Sequence, residues 1–355
     1  MILPREEINK YIDCINHLKT AYPLTDIHVS PFEVIFNLFK YTPNPDYRGV
    51  YSLEGASYRP PSTNSFKLET RSRNMIPEKG EVVPAKLSLL MYRQAYANIG
   101  PRVLVDQMNL SGISRSLLLP VLQSDSCGEE QVRLVLELYE SDKRCLLGYC
   151  IPNTVGNGNI MQDIKAAIYK YKIKAIKVHP NITGIDLSNS SGRRRIERIL
   201  EACQDTDLPL IIHGGLSPVL KNFQSRRFAA LEYIAKIDWG ITSIPVVISH
   251  AGMMGHSITE MESELIPLLK KMLAKHDNIF IDISALNLDA LCLILKQIDH
   301  NRIIFGSDAF YFPQWIAIIK LLLALKESVS DEEDAFIQIA GINPDKHIFR
   351  QDKLC

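Results

Sequence analysis

From about residue 82 onward, short apolar runs alternate with stretches whose apolar residues recur at helical spacing. Leu208-Pro209-Leu210-Ile211-Ile212 stops at His213-Gly214-Gly215, and Ile244-Pro245-Val246-Val247-Ile248-Ser249 stops at His250-Ala251-Gly252. Each run is rich in Ile, Val and Leu over the length of a strand buried on both faces, the pattern of a parallel sheet covered by helices. With a first strand at 24–29, the others fall at 115–121, 145–150, 173–180, 208–213, 245–250, 278–284 and 302–308. Helices fit between them at 82–110, 128–142, 160–171, 192–204, 227–238, 257–275 and 286–298. Eight strands in strict alternation with helices predict an α/β fold, a (β/α)8 TIM barrel. A doubly wound open sheet is the alternative, but no Gly-x-Gly-x-x-Gly turn follows the first strand.

Two stretches stand outside this rhythm. Residues 4–20 place Ile8, Ile12, Ile15 and Leu18 on one face, an N-terminal helix packed on the outside. Residues 32–80 combine Pro43, Pro45, Pro60 and Pro61 with many aromatics, too broken for a long element and too aromatic for a disordered linker. They read as a long insertion after the first strand, either a surface excursion or a lid over the active face. The expectation is one barrel domain, 1–355, carrying that insertion.

Composition narrows the class. Hydrophobic residues make up 46% of the 355 and charged ones 23%, which suits a globular protein with a real core. Forty basic and forty acidic residues cancel, so there is no charge footprint for nucleic acid or an anionic membrane. The seven cysteines form no Cys-x-x-Cys pair and the start is no signal peptide, which points to a reducing cytoplasm. The longest apolar stretch, 316–325, is interrupted by Lys320 and falls short of a membrane span. Partners are therefore expected to be small-molecule substrates, with association into a homo-oligomer left open.

In such a barrel the chemistry sits at the C-terminal ends of the strands. His28, Lys177, His179, His213, His250 and Asp308 all fall there. Period-two alternation predicts that Lys177 and His179 share a face, as do Asp26, His28 and Ser30. One strand-end histidine is usually a packing residue. Four of them with a carboxylate and a lysine at one end of a barrel are a donor set for zinc or a similar divalent ion.

The ordered motifs resemble the amidohydrolase superfamily, in its amidohydrolase-related (family 2) branch that includes the aminocarboxymuconate-semialdehyde decarboxylase type. They are Asp26-Ile27-His28, Met108-Asn109-Leu110-Ser111-Gly112-Ile113, Ile176-Lys177-Val178-His179-Pro180, Leu208 to His213, Val247-Ile248-Ser249-His250-Ala251-Gly252, Ile304-Phe305-Gly306-Ser307-Asp308 and Asn343-Pro344. The resemblance implies that His28, His213 and Asp308 are metal ligands. It implies that His250 is the catalytic imidazole, and that Asp308 serves as general base. It further implies a divalent metal ion, zinc first and manganese as the alternative. Such an ion lowers the pKa of bound water towards ~7 and polarises a carbonyl.

Ser30 departs from the family, standing where the second histidine of the first strand is expected. Three readings follow: His179 completes the coordination, the metal has three protein ligands plus waters, or the metal has been lost. Lys177 is either a strand-end lysine reaching solvent or a cation that binds a substrate carboxylate, with a carbamylated bridge ranked lower. The run Ser191-Gly192-Arg193-Arg194-Arg195 reads as a solvated helix start before an anion site. Phe310, Tyr311, Phe312 and Trp315 read as packing before a substrate wall. The leading function is metal-dependent hydrolysis of an amide, ester or lactone. The rivals are non-oxidative decarboxylation on the same residues, a degenerate barrel without metal, and a Schiff-base aldolase using Lys177.

Overall fold

The computed structural model describes residues 2–30, 65–67, 101–121, 135–137, 139, 142–151, 155–217, 225–309 and 313–349. Eight strands form one parallel sheet in chain order: β1 (Leu24–Val29), β2 (Ile113–Leu118), β3 (Cys145–Cys150), β4 (Ala175–Val178), β5 (Leu210–Gly215), β6 (Val246–Met254), β7 (Ile279–Asp282) and β8 (Ile303–Ile304). The two ends of the sheet meet. Ile27 N donates to Phe305 O at 3.1 Å, Asp308 N to His28 O at 2.8 Å, and Val29 pairs with Ala309. The predicted barrel is the observed one. Apart from 65–67, which pairs antiparallel with Ile2–Pro4, the insertion at 32–80 lies outside the described residues, and so does its reading as a lid.

Alternation along the strands builds two apolar layers. Ala175, Ile211, Val247, Phe280 and Ile304 pack together inside the barrel, joined by Ile348 and Phe349 from the C-terminal segment. Their neighbours Ile176, Val178, Leu210, Ile212, Val246, Ile248, Ile279 and Ile281 face outward against the helices. Two residues beyond four of these inner positions the same face carries Lys177, His213, Ser249 and Asp282, with Gly306 beyond Ile304, so the polar cluster is the next storey above the apolar one.

β1 departs from the expected alternation. Its register against β2 shifts between Leu24 and Thr25 and again between Asp26 and Val29. Ile27 joins the inner apolar cluster, yet the adjacent His28 also meets interior groups, Asp282 and Lys177. Asp26 and His28 therefore do not share a set of partners, because an irregularity of this kind re-aims the side chains beside it.

Among the helices, Arg5–Ala21 buries Ile15 and Leu18, as its pattern predicts, and Pro101–Ser111 is the described part of the stretch expected at 82–110. The decade 316–325 lies in the helix Gln314–Ser328, where Lys320 is buried and donates to Leu286 O at 2.7 Å. No described helix is long and apolar enough to cross a membrane. The helix Ser190–Thr206 is capped by Asn189, which accepts from Gly192 N, and Arg193 spends its guanidinium on the carbonyls of Leu187 and Ser188. That is a structural helix start. Trp315 is fully buried, as packing requires, while Phe310, Tyr311 and Phe312 lie outside the described residues.

Gly214 sits where β5 and β6 approach closely. A Cβ there would sit 2.7 Å from Gly252 Cα and 3.1 Å from Ser249 O, backbone atoms that have no rotamer to yield. Gly214→Ala is expected to cost about 1–3 kcal/mol in urea denaturation. Gly158→Ala, whose new methyl meets nothing within 4 Å, is the control and should stay within about 0.5 kcal/mol. Equal stabilities in the two variants would contradict the close approach.

Candidate functional site

Asp282, the last residue of β7, is fully buried and ties three strand ends together. Its Oδ2 accepts from His28 Nδ1 at 3.0 Å, and its Oδ1 accepts from His250 N at 2.9 Å, Ser284 N at 3.0 Å and Ser284 Oγ at 2.5 Å. Burial works to raise its pKa, but the imidazoles of His28 and His250 and these hydrogen bonds outweigh it and hold Asp282 well below the usual carboxylate range. An ionised Asp282 accepts a hydrogen bond from His28 Nδ1–H, so His28 Nε2 carries the lone pair. His250 is fixed likewise. Its Nδ1 donates to Ser284 O at 2.9 Å, which leaves Nε2 as the basic nitrogen, and burial holds its pKa at about 3.

The other side of His28 faces a cation and a carboxyl group. Lys177 Nζ lies 3.1 Å from His28 Nε2 and donates to Ser249 Oγ at 3.2 Å. Asp308 Oδ1 lies 3.8 Å from the same nitrogen and accepts from Ser30 Oγ at 3.0 Å. Burial lowers Lys177 to about 8, against the attraction of Asp282 and Asp308, and raises Asp308 to about 8, against Lys177 and Ser30. Desolvation thus pushes both groups towards their neutral forms.

His213 ends the inner row of β5, and His179 caps the short helix Pro180–Thr183 just beyond β4. Their rings stack at 3.8 Å between centroids, and His213 meets His250 edge-on at 4.9 Å. Burial lowers both His179 and His213 well below the ordinary histidine value. His213 Nε2 is buried with no hydrogen-bond partner.

The backbone around these groups is unusual. His250, Ala251, Ala285 and Asp308 all adopt φ between 52° and 61°. Each such non-glycine residue costs about 1–3 kcal/mol and persists only where its surroundings hold it. His250 and Ala251 lie within β6, Ala285 just past β7 and Asp308 just past β8, and His250 and Asp308 both approach His28, with the His250 ring centroid 5.1 Å from that of His28 and Asp308 Oδ1 3.8 Å from its Nε2.

One ligand atom each from His28, His250 and Asp282 lie within 4.8 Å of one another, a group able to hold a metal ion. The sequence reading assigned ligation to His28, His213, Asp308 and His179 instead, and of these only His28 belongs to that trio. The nitrogens settle how the two sets relate. His28 Nδ1 is committed to Asp282 and His250 Nδ1 to Ser284, so Asp282 has the geometry of a carboxylate orienting a ligating histidine. The atoms left over are His28 Nε2, Asp308 Oδ1 and the unpartnered His213 Nε2. By type, two imidazole nitrogens and a carboxylate oxygen suit zinc, but in this structure these three atoms do not all lie within 4.8 Å of one another as those of the His28, His250 and Asp282 group do.

Sequence reasoning missed Asp282, Ser284 and Ser249. The signal was present for Asp282, a carboxylate closing the run Ile279-Phe280-Ile281, but a lone acid after a strand reads as a turn residue. Asp26 was read as a neighbour of His28, yet its carboxylate accepts from Ser307 N, Ser307 Oγ, Gln314 Nε2 and His28 N. Burial nevertheless raises it to about 6.

A family model described as amidohydrolase matches residues 90–346. Solved structures of the same fold include 5-carboxyvanillate decarboxylase LigW from Sphingomonas paucimobilis, 11% identical, with 92% of this chain and 98% of that one covered at a TM-score of 0.54. Another is 4-oxalomesaconate hydratase LigJ from Rhodopseudomonas palustris, 15% identical, with 93% and 96% covered at 0.51. A third is an amidohydrolase from Burkholderia multivorans with bound zinc, 13% identical, with 73% and 91% covered at 0.50. At these identities the likeness is one of fold. No protein of curated function matches the chain by sequence.

The buried imidazoles set the acid stability of the metal-free protein. His28, His179, His213 and His250 are all shifted below the unfolded histidine value of about 6.5. Their contribution is present above that value and is lost as pH falls through it, because unfolding then takes up protons. Asp26 and Asp308 oppose this: they are protonated in the fold up to about 6 and about 8, and release protons on unfolding. Four uptakes outnumber two releases, so stability slopes downward on acidification from pH 6 to 5. Urea denaturation at pH 7, 6 and 5 should follow that slope. Stability that holds or rises on acidification would mean that the histidines are charged in the fold.

Proposed function

The protein belongs to the amidohydrolase family, and from that membership we propose that it is a metal-dependent enzyme hydrolysing an amide, ester or lactone bond of a small organic substrate. The observation that carries the reading is the buried cluster in which His28, His250 and Asp282 offer ligand atoms within 4.8 Å of one another and Asp308 Oδ1 lies 3.8 Å from His28 Nε2. His28, His213 and Asp308 would hold the ion, with zinc favoured by the nitrogen-rich set and manganese as the alternative. When bound, the ion would supply Lewis acidity and a more acidic water.

The chain's own residues account for the remainder. His250 presents a neutral imidazole whose Nε2 can take or return a proton, since its Nδ1–H is engaged by Ser284. Asp308 moves a proton between water and the leaving group. His179 holds the His213 ring in plane by stacking on it. Lys177, buried at the end of β4, offers a cation for a substrate carboxylate. The described cysteines 14, 145, 150, 203 and 292 are in no disulfide, which supports the cytoplasm as its compartment.

A second reading, non-oxidative decarboxylation of a small aromatic or unsaturated acid, uses the same groups. It is favoured by the raised pKa of Asp308, since a protonated carboxyl can deliver a proton to carbon, and by the fold shared with LigW.

A panel of small lactones, esters, amides and unsaturated acids separates the two readings by product: a hydrolysed acid, or carbon dioxide. His250→Asn and Asp308→Asn should each lower kcat by about a hundredfold or more, with circular dichroism unchanged. Full turnover in either variant would remove these assignments, and turnover unaffected by exhaustive chelation would remove the metal.

A further inference from the structure

Lys177 and Ser30 already satisfy two of the three donor atoms left for a metal. Lys177 Nζ is 3.1 Å from His28 Nε2, and Ser30 Oγ donates to Asp308 Oδ1 at 3.0 Å. The ammonium is fully buried, is fixed from a third side by Ser249 Oγ at 3.2 Å, and feels the attraction of both Asp282 and Asp308. A cation bound to an imidazole lone pair, flanked by carboxylates and a hydroxyl, stands where a divalent ion would have to stand. We propose that Lys177 is a built-in cation occupying the metal position of the empty site, so that metal entry must displace it from His28 Nε2.

The proposal rests on the metal-enzyme reading above and deepens it. A divalent ion and an ammonium cannot both take the single lone pair of His28 Nε2, and buried like charges at such separations repel strongly. The lysine has somewhere to go. Its four-carbon stem starts at the mouth of β4, so release from His28 leaves the ammonium free to meet a substrate carboxylate. The exchange gives Ser30 a meaning too. An imidazole at that position would add a metal donor and tip the competition towards the ion, whereas a hydroxyl donating to Asp308 stabilises the empty site. The consequence is a metal held reversibly, with Lys177 passing from His28 to the substrate as the ion enters.

The test is direct metal binding to the full-length protein after chelation. Cobalt(II) absorption and calorimetry with zinc are recorded for the wild type, Lys177→Met and Ser30→His. The apparent affinity of a site is reduced by the fraction of molecules in the competent state. Lys177→Met is therefore expected to bind about tenfold tighter or more. Ser30→His should also bind tighter and should add a histidine signature to the cobalt spectrum. Metal-free Lys177→Met should melt below the wild type and regain more on adding zinc, since His28 Nε2 has lost its partner. Equal affinities in wild type and Lys177→Met, both tight, would overturn the exchange and leave the metal enzyme standing. Failure of all three proteins to bind either ion would overturn the metal reading, and the exchange with it. Should Lys177→Met prove unstable when metal-free, Lys177→Arg, which keeps a bulkier cation there, is expected to bind no tighter than wild type. Tighter binding by Lys177→Arg would also overturn the exchange.

Discussion

The carboxylate of Asp282 is the interaction on which the top of this barrel depends. Burying an isolated carboxylate is prohibitive, and a buried charge survives only where donors surround it. Asp282 has four: a ring nitrogen from β1, a backbone nitrogen from β6, and the nitrogen and hydroxyl of Ser284 just past β7. These bonds bring three strand ends into register. They also decide which nitrogen of His28 is free for chemistry. Asp26 receives four hydrogen bonds as well, yet burial leaves its pKa raised to about 6. Number of donors therefore does not separate the two carboxylates. Asp282 has the imidazoles of His28 and His250 beside it and is held low, while Asp26 is lined by hydroxyl, amide and backbone donors.

That anchoring explains how left-handed backbone can persist at His250, Ala251, Ala285 and Asp308. Four residues at about 1–3 kcal/mol each are a large burden against the total stability of a domain. The hydrogen bonds fall where the strain is: Asp282 accepts from His250 N and from Ser284 N, and His28 O accepts from Asp308 N. The chain turns sharply at each strand end, and the turn is what aims the side chain inward. Strain and function occupy the same residues because the inner row of a strand alone would send its next side chains along the barrel wall.

The barrel was legible because its signal is collective. Eight apolar runs, each of strand length and each followed by a helical period, leave few alternatives, and burial of Ile211, Val247 and Phe280 inside with Ile212, Ile248 and Ile281 outside is the same alternation read in space. The strand-end residues were legible for the same reason: Lys177, His213 and Asp308 sit two residues or a short turn beyond an inner apolar position. Asp282, Ser284 and Ser249 were not, since serine and a lone aspartate carry no chemistry until a partner is known, and their partners lie 32 or more residues away. The irregularity in β1 was hidden as well. Nothing in Asp26-Ile27-His28 distinguishes a regular strand from one whose register slips between Asp26 and Val29.

The charge inventory of the site follows from these constraints. Around Lys177 stand two carboxylates, Asp282 and Asp308, and four imidazoles whose pKa burial lowers, while a third carboxylate, Asp26, accepts from His28 N. Neutral imidazoles cannot offset the ionised Asp282, so the cluster needs a cation when no metal is bound. Lys177 meets that need at close range, in reach of His28 and flanked by both carboxylates. A second, divalent cation in the same volume would leave an excess of positive charge unless an anion arrived with it. A substrate bearing a carboxylate supplies that anion. The site is therefore balanced in two states, one with Asp308 protonated and the lysine opposite Asp282 and one with Asp308 ionised and both ion and anionic substrate present, and its low dielectric penalises anything between them.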